Sequence, residues 1–328
     1  MTVVAGDLPE EKRKRIELAE LFRQYGTVLI FVLLVLGASY QSHAFLTERN
    51  IMNVLRQVAP TGIMAVGMLF VILTRGIDLS VGSLLALGSV TCATFVAGEH
   101  GIAAGIGGAV AAGALAGLVT GVLVAYAQLP PFVITLAMMT AARGMALIAS
   151  NGQPILMGDP GEALTDFGSG FLFGVPQPVL LMFAVFIVAG IVLDFTKFGR
   201  LVKAIGSNAE AVRLSGIAEP RYVMAVYVIS GALAATAGIV STSRTGVGSG
   251  SIGVGAELDV IAAVVIGGAS LMGGRGGVVN TLLGALVMGV IGNIMNLAGV
   301  PGYNQQVFMG LIIVVAMLLQ YGTRWLKR

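Results

Sequence analysis

Long apolar runs separated by short polar stretches make up most of this chain. A helix that crosses a bilayer needs about 20 mostly apolar residues. Segments of that character lie at roughly 26–41, 58–74, 80–97, 102–126, 132–149, 178–195, 223–243, 258–272, 277–298 and 304–321. Ten spans are predicted, of which 80–97 and 258–272 are short enough to be broken or tilted. One long polar stretch interrupts them, Thr196–Tyr222, which carries Lys197, Arg200, Lys203, Arg213 and Arg221 against Glu210 and Glu219. Within it, AEAVRLSGI reads as a short helix with Ser207 or Asn208 as N-cap and Gly216 as C-cap. The pattern predicts an N-terminal segment (1–25), a first membrane half (26–195), a central loop (196–222) and a second half ending in a short tail (223–328).

Composition sharpens the class. Hydrophobic residues are 56% of the chain and charged ones 11%, and the mean hydropathy is +0.93. Soluble domains carry about 25% charged residues, so an all-α integral membrane protein is expected. The 47 glycines suit helices that pack closely in a membrane, and GALAGLVTG (113–121) offers a GxxxGxxxG packing face. With the N-terminus inside, fifteen of the 19 Lys and Arg fall on the inner side, while Arg49, Arg56 and Arg244 fall outside and Arg143 within a span. That bias follows the positive-inside rule and places both termini in the cytoplasm. The connection Ser150–Gln177, with Asp159, Glu162 and Asp166 and no basic residue, suits an outer loop. Lys12–Arg15 before the apolar run 28–36 resembles the start of a signal peptide, but GASYQSHAF supplies no small-x-small site, so an uncleaved anchor is expected. The single Cys92 excludes an internal disulfide, and His43 and His100 are too few and too far apart for a metal site.

The chain also repeats itself. GIDLSVGSLLALGS (76–89) aligns with AELDVIAAVVIGGA (256–269), setting Asp78 against Asp259, and GALAGLVTG (113–121) aligns with GALVMGVIG (284–292). Five predicted spans separate the copies, so the second is threaded upside down, a recurring way of building transporters. The polar residues inside the apolar blocks are few. Arg143 either snorkels or caps a broken helix, or lines a solute route. Asp78 beside Arg75, and Asp259 beside Glu257, read as helix N-caps at span entrances or as parts of a gate. Asn293 and Asn296 read as interhelical hydrogen-bonding groups or solute contacts. None of the five lysines follows a glycine, so no phosphate-cradling GxxxxGK[ST] loop exists, nor does a GxSxG elbow or HExxH pair. GVGSGSIGVG (246–255) follows no strand, and reads as a re-entrant or loop segment on the outer side.

Three ordered blocks together resemble one family. IMAVGMLFVILTRGIDLSVGSLLALGS (63–89), FGRLVKAIGSNAEAVRLSGI (198–217) and ELDVIAAVVIGGASLMGGRGGVVNTLLGALVMGVIGN (257–293) look like the permease subunit of ribose-type monosaccharide ABC importers. The resemblance implies ten spans in two inverted halves, the vitamin-B12-importer type of fold. It implies a second permease copy (identical or closely related), two cytoplasmic ATP-binding cassette subunits and a periplasmic sugar-binding protein in a bacterial inner membrane. ATP and Mg would sit on the partner subunits, with no cofactor, metal or nucleic acid on this chain. It also raises the central helix to a coupling helix, with Ala204, Gly206, Asn208, Ala211, Arg213, Leu214 and Gly216 at the ATPase. Permeases for branched-chain amino acids, nucleosides or an autoinducer sugar share such motifs. An ion-coupled carrier would instead want charges buried at mid-span.

Overall fold

The computed structural model describes residues 10–325; the start of the N-terminal segment, and Lys327 and Arg328 of the tail, lie outside the described residues. A helix stands at each predicted span: α1 (Glu10–Gln41), α2 (Glu48–Leu73), α3 (Val81–Ala97), α4 (Ile102–Ala125), α5 (Pro131–Ala149), α7 (Gln177–Phe195), α9 (Glu219–Thr245), α10 (Ala256–Ile266), α11 (Val278–Leu297) and α12 (Gly302–Trp325). Six of these, α2, α4, α5, α7, α9 and α11, are long and apolar enough to cross a membrane, and Gly26–Gln41 and Val81–Ala97 are shorter apolar helices.

Several boundaries differ from the pattern reading, each for a local reason. α2 begins ten residues before 58, because the Thr47 hydroxyl accepts from the Asn50 amide and caps it there. α10 stops at Ile266 rather than 272, where Gly267, Gly268 and the following turns take over; φ is +83° at Gly268. The connection 150–177 is structured: it holds α6 (Glu162–Ser169) and a hairpin of β2 (Phe171–Leu172) and β3 (Val175–Pro176). Its first short strand, β1 (Ile155–Leu156), pairs antiparallel with β4 (Val247–Gly248), registering Ile155 against Gly248.

The core is built around α2, whose residues from Val58 to Leu73 are almost all buried. α9 lies against it and carries buried Val226, Tyr227, Ala234, Ala237 and Val240 into the same core. The 113–121 glycines do pack as predicted: a Cβ at Gly113, Gly117 or Gly121 would strike the carbonyl of Gly231, Tyr227 or Met224 on α9. Small residues let two backbones approach this closely where lipid supplies no hydrophobic drive. The corresponding segment of the second half does the same on different partners, with Gly284 against Ala263 and Gly289 against Val58. Packing is therefore reciprocal: α4 lies on α9 and α11 on α2, while α3–α4 and α10–α11 are matching pairs.

Candidate functional site

The central polar stretch folds as α8 (Lys197–Leu214), a helix with a break inside it. Asn208 has φ −157° and ψ 91°, outside the helical region, and its side-chain oxygen accepts from the Ala211 amide at 3.0 Å. The N-cap expected at Ser207 or Asn208 is thus Asn208, but it divides a longer helix instead of starting a free one. The C-cap is Ser215, one position before the expected residue, and Gly216 follows at φ +76°, the left-handed position that ends helices. After the break, Asn208, Ala211, Arg213, Leu214 and Gly216 are exposed, Leu214 by 79%. Arg213 pairs with Glu210 at 2.6 Å on the outer face of the same helix, and that partner pushes its pKa up.

Ala204 and Gly206 belong elsewhere. Ala204 is half-buried and Gly206 buried on the inward side of α8, where a Cβ at Gly206 would meet the Leu73 carbonyl and the Gly274 amide. Arg75, just past α2, reaches across this junction. Its Nε donates to the Gly206 carbonyl at 2.7 Å and its Nη2 to the Ser207 carbonyl at 2.8 Å. The Gly274 amide donates to the Leu73 carbonyl at 3.0 Å. The end of α2, the bend of α8 and the 268–277 turns therefore meet at one joint. The sequence pointed to Arg75 only as a neighbour of Asp78; the signal missed was its place directly after an apolar helix, ahead of a glycine.

A second polar site lies deep in the bundle. The segment after β4 runs down along α3: the Ser249 amide donates to the Ser89 hydroxyl at 3.2 Å, and Gly253 lies against Gly82. Seven helical positions separate Ser89 from Gly82, a descent of about 10 Å. The descent continues into α10, whose 11 residues carry the chain only about 16 Å further, half a bilayer core, to the 268–277 turns at the joint. The stretch 246–255 is therefore a descending segment that leads on inward and not a re-entrant one that turns back, and α10 is a half-helix whose first turn opens at mid-depth. Asp259 and Glu257 sit in that turn, half-buried. The N-cap is Gly255, so neither carboxylate caps the helix, and Asp259 is inside the bundle instead of at an entrance. Arg143 on α5 holds the descending strand, its Nη1 donating to the Gly250 carbonyl at 2.7 Å and to that of Ile252, with electrostatic attraction from Glu257.

The remaining predicted residues are not gathered there. Asp78 is 1% exposed and accepts from the Ser80 amide (3.0 Å), the Ser80 hydroxyl (2.5 Å) and the Ser230 hydroxyl of α9 (2.7 Å). Ser80, not Asp78, stands at the N-cap of α3, so Asp78 bonds the two halves together within the core. Asn293 and Asn50 exchange amide hydrogen bonds at 3.0 and 2.9 Å, joining α11 to α2. The Asn296 oxygen accepts from Gln305 at 2.9 Å. Both asparagines therefore make the interhelical bonds anticipated for them.

Residues 50–317 match the family described as branched-chain amino acid transport system / permease component. The chain is 42% identical over 303 residues to the ribose import permease protein of Escherichia coli, covering 92% of this chain and 94% of that one. It is 37% identical over 309 residues to the L-arabinose ABC transporter permease protein of Azospirillum brasilense, covering 94% and 91%. It is 35% identical over 311 residues to the D-allose transport system permease protein of Escherichia coli, covering 94% of each. No solved structure matches it. With apolar helices in series and likeness along nearly its whole length, this chain is a multi-pass membrane protein and belongs to the branched-chain amino acid transport system / permease component family.

Proposed function

We propose that this chain is the membrane-spanning subunit of an ATP-driven importer that moves a monosaccharide, ribose or a similar pentose or hexose. It receives the sugar from a periplasmic binding protein and sits in a bacterial inner membrane with both termini cytoplasmic. It pairs with a second permease copy and with ATP-binding cassette subunits that carry ATP and Mg. The sugar reading draws on the relatives, similar across nearly their full length, which are named for ribose import, an L-arabinose ABC transporter and a D-allose transport system. Ten spans in two inverted halves, the vitamin-B12-importer arrangement, fit the reciprocal packing of α4 on α9 and α11 on α2. The exposed end of α8, 208–216, is the docking segment for the ATPase within the cytoplasmic loop 196–222.

The observation that carries the route is the mid-depth cluster. Arg143, Glu257 and Asp259 are only half-buried, with Ser251 exposed beside them. Ionisable side chains at half-depth face a bundle interior or water, not acyl chains. The face formed by α5, the descending segment and the start of α10 therefore lines the sugar route, against the second copy. Carboxylates there accept from sugar hydroxyls and the guanidinium donates to them. Asp78, Asn293 and Asn296 hold helices together instead.

The same cluster suits one other reading, a carrier coupled to an ion, which needs acidic groups at this depth. Reconstitution separates the two. The full complex in proteoliposomes is expected to accumulate labelled ribose only with ATP and the loaded binding protein. Accumulation by this chain alone on a sodium or proton gradient would overturn the importer.

A further inference from the structure

The exposed end of α8 is attached to the bundle by little beyond Val212, the one residue after the break that is buried. Movement there reaches the core through the joint before Asn208, as well as through Val212 and the short link into α9. A helix that stops leaves its last carbonyls without intrahelical donors, and at this break Arg75 supplies donors to two of them, Gly206 and Ser207. A cation at that position also complements the helix dipole. Arg75 itself is held at φ +68°, a conformation costly for a residue with a side chain and kept only where the surroundings enforce it. The joint has no slack, since a Cβ at Gly206, Gly273 or Gly274 would run into the Leu73 carbonyl, the Arg75 side chain or Ser207.

The turn that begins with Arg75 then touches two further helices, α5 and α9. The Ile77 carbonyl accepts from Thr135 on α5 at 3.2 Å, Asp78 accepts from Ser230 on α9, and the Tyr227 hydroxyl lies over Gly76. Tyr227 is fully buried, and its hydroxyl has no hydrogen-bond partner among the described residues. One short turn thus joins the bend of α8 to α5, which borders the proposed route, and to α9. We infer that Arg75 is a positioning residue for energy coupling: it fixes the bent α8 to the 74–80 turn, and through that turn the ATPase-facing segment moves α5 and α9 as one body. This rests on the importer reading.

The test uses the complete complex, permease with ATPase subunits and binding protein, in proteoliposomes. Wild type shows hydrolysis stimulated by the loaded binding protein; no stimulation there overturns the importer reading itself. In Arg75→Gln the complex assembles, melts near the wild-type temperature and keeps its basal hydrolysis, while the stimulated-to-basal ratio falls by about fivefold or more, the scale of coupling between sites. Sugar moved per ATP falls with it. Arg75→Lys keeps the charge without the planar two-point fork and gives an intermediate ratio. A wild-type ratio in Arg75→Gln overturns the inference and leaves the importer standing. If Arg75→Gln fails to assemble, Arg75→Lys decides: full stimulation, or failure of that complex to assemble as well, overturns it.

Discussion

Replacing Arg143 by Met removes the one side chain that, among the described residues, hydrogen-bonds the descending strand to α5, while keeping length and apolar bulk. The guanidinium gives up two carbonyls, Gly250 and Ile252. Hydrogen bonds to a charged group contribute about 1.5–3 kcal/mol each. Because Arg143 is half-buried, water recovers part of this, and the low end, about 3 kcal/mol for both bonds, is the better figure. At 1.4 kcal/mol per factor of ten, local opening of the strand should become about a hundredfold more frequent. Amide hydrogen exchange reads this directly for a peptide covering 246–256, where the Ser249 amide is protected by Ser89. Exchange in α4, remote from the strand, should not change, which separates local loosening from general destabilisation. Arg143→Lys should fall between the two. Exchange in 246–256 within about twofold of wild type for Arg143→Met would refute the clamp, since an effect of about 0.4 kcal/mol is below one hydrogen bond.

Three further outcomes are expected. Leu214→Asp changes an exposed position (79%) and should leave the melting temperature of the isolated chain unchanged, yet abolish co-purification of the ATPase subunit. Asn293→Leu strands the Asn50 amide and should cost about 1–3 kcal/mol, seen as a lowered midpoint in a detergent melt; Asn50→Leu with Asn293→Leu should recover much of it, because both partners leave together. Gly117→Leu drives a side chain into the backbone of Tyr227 and Val228 on α9 and should abolish folded yield, whereas Gly107→Leu, with open space around it, should be tolerated in the same size-exclusion assay.

The succession of apolar helices was legible in the chain because membrane helices must satisfy their backbone groups internally, which forces long apolar runs. Glycines 113, 117 and 121 were legible as a packing face for a related reason: only small residues permit the approach. The exposed segment after Asn208 was also visible, since charge and capping residues mark it. Distances in space were not. Apolar spacing alone cannot tell a half-helix fed by a descending strand from a short span, so Asp259 and Glu257 read as lying at an entrance and prove to sit at half-depth. Nor does it separate the inward from the outward face of α8, which is why Ala204 and Gly206 joined Leu214 in one predicted group. The sequence by itself determined that this protein spans a membrane, in what order its helices come, and which polar stretch interrupts them. Only the tertiary structure decided which polar groups are shared between halves and which stay half-buried: Asp78 closes on Ser230 and Asn293 on Asn50, leaving Arg143, Glu257 and Asp259 near one another. Those pairings span more than a hundred positions along the chain, and a buried polar group takes its role from the partner that folding brings to it.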